Sequence, residues 1–102
     1  MSDVNLLEKD MEPLIQRIIV ELKLEKTIDG SALASLNDKL SVYKTQIKEQ
    51  NVIPRSFVGK LFYLFSTMVW HAQYVNYRDD IMLEVFRLRT CLLSVFDESN
   101  FG

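Results

Sequence analysis

A single cysteine, Cys91, stands in the 102 residues, so no disulfide framework can form within the chain, and that usage fits a reducing compartment. Three glycines and two prolines are too few to turn a chain of many short strands. One histidine, His71, has no Cys, Asp or Glu near it at ligand spacing, so no metal is expected. There is no glycine-rich phosphate loop and no basic excess. The formal net charge is −2, which argues against nucleic acid as a partner, because phosphate binding needs a concentrated basic patch. The first ten residues lack a basic stretch followed by an apolar run, so no secretory signal is expected and the cytoplasm is the expected location. What remains is ordinary for a globular chain: 48% hydrophobic and 25% charged, the right size for one domain over residues 1–102.

The longest apolar stretch, residues 57–75 (FVGKLFYLFSTMVWHAQYV), is close to the length of a membrane span. At about 100° per residue, however, Gly59, Lys60, Ser66, Thr67 and Gln73 fall in one half of a helical wheel, with His71 at its margin. Leu61, Leu64, Phe65, Met68, Ala72 and Val75 fill the other half. This is an amphipathic helix of a bundle, with loose peripheral membrane association at most. Its polar half also holds Tyr63, Trp70 and Tyr74, three large rings on one face that a core does not demand.

The periodicity predicts four helices, over about 11–25, 32–50, 54–75 and 77–96, and a short C-terminal tail without helical pattern. The first has Asp10 as an N-cap and Pro13 in its first turn, with Met11, Leu14, Ile15, Ile18, Ile19 and Leu22 inward. Pro13 should strain any helix that continues back through residues 1–9, although Leu6 and Leu7 could pack. Gly30 provides a stop, and Asp29 or Ser31 the next cap. The second helix has the 3-4-3-4 seam Leu33, Leu36, Leu40, Tyr43 and Ile47. Asn76 with Asp79 makes a capping-box-like start for the last helix, which turns Ile81, Val85, Leu88, Leu92 and Val95 inward. A second stripe on that helix, Met82, Phe86 and Leu93 with Arg89 among them, is either a wide core or a groove beside the third helix. Short connections make the expected fold an all-α, antiparallel up-down four-helix bundle.

No enzyme is expected, and no cofactor. Arg17, Lys39 and Lys60 fall on solvent-facing sides of their helices, where they cannot converge on an anionic substrate. Cys91, at the edge of a core stripe, reads as a small buried hydrophobe, and Asp79 and Asp80 as helix N-terminal acids. The two halves differ in kind. Residues 54–102 hold four of the five arginines, Trp70, three of the four tyrosines and every phenylalanine. Arg, Trp and Tyr are the side chains enriched at interface hot spots, so a protein partner should meet the C-terminal half, Arg87 and Arg89 included.

A lysine-rich second helix ending in Tyr43-Lys44-x-x-Ile47-Lys48 leads to Ile53-Pro54 and Lys60-Leu61-Phe62-Tyr63-Leu64. A capped last helix and a short aromatic-containing tail follow. This order resembles the immunity proteins of pediocin-like bacteriocins, with its nearest likeness to the enterocin A immunity group, over about residues 12–100. The resemblance implies a cytosolic antiparallel four-helix bundle that protects a producing bacterium from its own pore-forming peptide. It implies as partner the sugar phosphotransferase permease with bound bacteriocin. It also places recognition in the C-terminal half and tail, at Arg87, Arg89, Phe96 and Phe101. A different class stays open, a helical adaptor or regulator, either a monomer or a weak dimer formed through Trp70 and its neighbours.

Overall fold

The computed structural model describes the backbone of residues 3–47 and 53–101 and the side chains of residues 6–47 and 53–96. Four helices account for nearly all of it: α1 (Asp3–Glu25), α2 (Gly30–Gln46), α3 (Arg55–Tyr74) and α4 (Asp79–Phe101), with no strand among the described residues. The chain runs up and down through an all-α four-helix bundle in which helices consecutive in sequence are antiparallel. Its core is one continuous cluster that includes Met11, Ile15, Ile18 and Leu22 from α1 and Leu33, Leu36, Leu40 and Tyr43 from α2. Phe57, Leu61, Leu64 and Met68 enter it from α3, and Ile81, Val85, Leu88 and Val95 from α4. No helix among the described residues is long and apolar enough to cross a membrane.

The bundle is built from two helical hairpins. Arg17 pairs with Asp29 at 2.9 Å, and Glu8 meets Tyr43, so α1 and α2 run antiparallel. Between the hairpins, α1 lies beside α3 and α2 beside α4, while α2 and α3 sit on a diagonal without backbone contact. The α1–α3 pair is parallel: Glu12 reaches Lys60, and Lys26 reaches Tyr74. This lateral order, which short connections alone do not dictate, brings the end of α1 against the middle and end of α3.

Four boundaries differ from expectation. α1 begins at Asp3 and continues through Pro13, with Asp10 inside it rather than capping it. Pro13 lies on the exposed face, so the N–H it lacks and the carbonyl left unbonded stay on the wet side. Leu7, half-buried, and Glu8, buried, tie the extra turns to the bundle. The stop after α1 is Lys26, at φ 61°, whose N–H bonds the Leu22 carbonyl at 3.1 Å, and Gly30 instead opens α2. Asp29 is the cap of α2, accepting from the Ala32 N–H at 3.0 Å. α2 ends at Gln46, and the expected turn over 48–50 lies outside the described residues. Asn76 and Tyr77, at φ 60° and 58°, close α3 rather than open α4, and the Tyr77 N–H reaches the Ala72 carbonyl at 2.7 Å. α4 therefore starts at Asp79, with Asp79 and Asp80 in its first turn, and the expected tail is helical as far as Phe101.

Candidate functional site

The inward stripe of α3 fixes what its flanks present. With Leu61, Leu64 and Met68 in the core, Tyr63, Trp70 and Tyr74 point outward on the side next to α1, with 48%, 65% and 62% of their surface exposed. The three rings do share one face, as their spacing predicts. Phe62, 69% exposed, and Val69 point outward on the opposite flank, next to α4.

Two lysines from the last turn of α1 and its cap complete the first flank. The Lys23 ammonium lies 4.7 Å from the centre of the Tyr63 ring and donates to the Tyr63 hydroxyl. The Lys26 ammonium lies 5.6 Å from the centre of the Tyr74 ring, and that ring stacks on His71 with centroids 6.1 Å apart. Between these arms a cleft of about 260 Å³ opens, walled by Leu22, Ser66, Thr67, Trp70 and His71. Thr67 is held in place by donating to the Tyr63 carbonyl at 2.8 Å. His71 does not lie at the margin of the helix as its wheel position suggests. It is 3% exposed, and its Nε2 is buried without a hydrogen-bond partner. Burial first, then the charges of Arg78 and Lys26, hold its pKa below the ordinary histidine value and keep the ring neutral.

On the other flank, Val58, Leu61, Phe62, Leu92, Leu93 and Phe96 line an apolar groove of about 300 Å³ between α3 and α4. Met82 packs half-buried on the core, whereas Phe86 and Leu93 remain exposed. The second stripe of α4 thus divides: Met82 packs on the core, Leu93 lines the groove beside α3, and Phe86 lines the depression between α2 and α4. Arg89 falls on this side of α4 by helical spacing and is exposed, with no ion pair among the described residues. Arg87 falls on the opposite side, 3.5 Å from Glu84, and lines the depression between α2 and α4.

The seven residues singled out from sequence therefore separate. Tyr63, Trp70 and Tyr74 form one surface with Lys23 and Lys26; Phe96 lines the α3–α4 groove, with Arg89 on that side of α4 by helical spacing; Arg87 faces α2. Phe101 ends α4, and its side chain lies outside the described residues. Sequence reasoning passed over Lys23, Lys26 and Phe62. The wheel position of Phe62, opposite Leu64, would have marked it as exposed. The lysines had no such signal, because their role depends on α1 lying beside α3.

Elsewhere the chemistry is quiet. Cys91 is half-buried with its Sγ 3.8 Å from the Asn37 carbonyl, and burial pushes its thiol up, away from a reactive thiolate. No three His, Cys, Asp or Glu side chains cluster among the described residues. Comparison with protein-family models, with curated proteins and with solved structures finds no match to this chain.

Proposed function

We propose that this bundle is a non-enzymatic immunity protein of the pediocin-like bacteriocin class. It acts from the cytosolic side, binding the permease with its bacteriocin and stopping the pore from leaking. The observation that carries this reading is the exposed row of Tyr63, Trp70 and Tyr74 on one face of α3. Large amphipathic rings at low entropy cost are what a protein-binding face uses, and truncating such an anchor commonly costs about 2 kcal/mol or more of binding. The resemblance of residues 12–100, in helix order and loop placement, to the enterocin A immunity group supports the same reading. Arg89 and Phe96, beside the α3–α4 groove, extend the contact toward the end of α4. Expression in a bacteriocin-sensitive strain and challenge with a panel of pediocin-like peptides tests it: survival against at least one peptide is expected.

A second reading is favoured by the apolar α3–α4 groove with Phe62, Val69 and Leu93 exposed at its edge. A helical adaptor that pairs with a partner helix, or with a second copy, would use such a groove. Sedimentation of the purified protein over a range of concentrations separates a self-associating adaptor from a monomeric immunity protein.

A further inference from the structure

The cleft between α1 and α3 has three properties that an exposed aromatic row does not need. It is concave, about 260 Å³ with Leu22 and Trp70 among its walls, just below the range of about 300–1,000 Å³ usual for small-molecule sites. Its charge is of one sign. Lys23 and Lys26 stand at its rim, no Asp or Glu lines it, and the whole of α3 contains none; Glu25, which adjoins Lys26 in sequence, is exposed outside the cleft, and Glu21 is engaged by Arg17 at 3.5 Å. Neither lysine has a carboxylate partner among the described residues; each rests against a tyrosine ring. Finally, its wall includes a histidine that is 3% exposed and has a buried, unpartnered nitrogen. A neutral imidazole carries one donor and one acceptor, and a buried nitrogen such as the His71 Nε2 left without a partner is out of the ordinary.

We propose that this cleft binds a small planar apolar carboxylate, its flat body against Leu22 and the Trp70 indole and its carboxylate bridging Lys23 and Lys26. The assignment follows from what each group offers. The ammonium groups hold only exposed cation–π contacts and one hydrogen bond each to a neutral oxygen, Lys23 to the Tyr63 hydroxyl and Lys26 to the Lys23 carbonyl at 3.1 Å. These give way to the stronger charge-assisted hydrogen bonds of a carboxylate. The Ser66 hydroxyl and the Trp70 indole N–H add neutral donors around the cleft. A phosphate or other compact, fully hydrated anion would leave the apolar walls uncovered, whereas a neutral ring would leave the two ammonium groups without gain. The inference does not rest on the immunity reading, because it concerns the isolated protein and needs no membrane or peptide.

The test uses two built-in reporters. The chain has one tryptophan and one histidine, and both line the cleft, so the indole N–H and imidazole signals in an NMR spectrum are unambiguous. Titration with 3-phenylpropanoate should move both signals saturably, and 3-phenylpropan-1-ol should bind about tenfold more weakly or not at all. Lys23→Gln combined with Lys26→Gln should remove that preference while leaving the melting transition in place, since both side chains are exposed. Trp70→Ala, followed through the His71 signal, should abolish saturation by the acid. No saturable shift, equal binding of acid and alcohol, or a preference that survives in the double glutamine variant would each overturn the proposal.

Discussion

The phenolic hydroxyl of Tyr43 donates to the Glu8 Oε2 at 2.7 Å, and both side chains are buried where the first turns of α1 meet the end of α2. The Tyr43 ring also packs tilted against Phe57 of α3, with centroids 5.1 Å apart. One residue of the second-helix seam thus holds the N-terminal extension and a second hairpin at once. Tyr43→Phe keeps the ring and removes only the donor. Leaving the buried carboxylate of Glu8 without it should destabilise the fold by about 1–3 kcal/mol in urea unfolding. A loss below about 0.5 kcal/mol would show that Glu8 finds water instead.

The same pair makes the protein sensitive to alkali. Burial first, then the hydrogen bond and the charge of Glu8, raise the Tyr43 pKa well above its ordinary value. A raised value means that the folded state holds the proton more tightly than the unfolded chain. The resulting stabilisation is fully present below about pH 10 and is lost as pH rises further. Tyrosinate absorbance should therefore show one ionisation that appears only together with loss of the helical signal, and Tyr43→Phe should remove that step. Its appearance in a fully helical protein would contradict the burial of Tyr43.

His71 gives the opposite sign. Its value is lowered in the fold by burial and by Arg78 and Lys26, so the unfolded chain takes up a proton before the folded one does. Its contribution is present above about pH 6.5 and is lost as pH falls below that. Titration of the single histidine by NMR should give a midpoint below 6.5, the ordinary histidine value, and urea stability should fall between about pH 7 and pH 5. A midpoint at or above the ordinary value would place His71 in solvent.

Core and surface should separate under substitution. Leu40 is fully buried on the α2 seam, and Leu40→Ala should cost about 2–5 kcal/mol. Trp70→Ala and Arg89→Ala, both on exposed positions, should leave the circular dichroism spectrum and melting within about 0.5 kcal/mol of the parent. Unfolding of the Trp70 variant would make that ring structural.

How much of this was legible in sequence depends on the physical range of each cue. The 3-4-3-4 run Leu33, Leu36, Leu40, Tyr43 and Ile47 is periodic over several turns, and every member is buried. The Tyr63, Trp70 and Tyr74 row was readable for the same reason. Pro13 misled because a helix tolerates a missing N–H on its wet face, which no local rule reveals. Asn76 suited an N-cap by type, yet Asn also tolerates positive φ, and here it ends α3. Least legible was the lateral order of the hairpins. Nothing in residues 23–26 announces that their lysines will lie over Tyr63 and Tyr74, so the cleft and the burial of His71 came from tertiary structure alone.

If the outer face of α3 confers protection against a pore-forming peptide, as proposed, survival of a sensitive strain should depend on it. The strain is to express either the parent protein or Trp70→Ala, each at matched, folded levels, under the peptide that the parent resists. Protection should be present with the parent, retained with Lys39→Ala on α2, and reduced about tenfold or more with Trp70→Ala, in line with loss of an interface anchor. No protection by the parent against any pediocin-like peptide, or full protection by the Trp70 variant, would contradict the account.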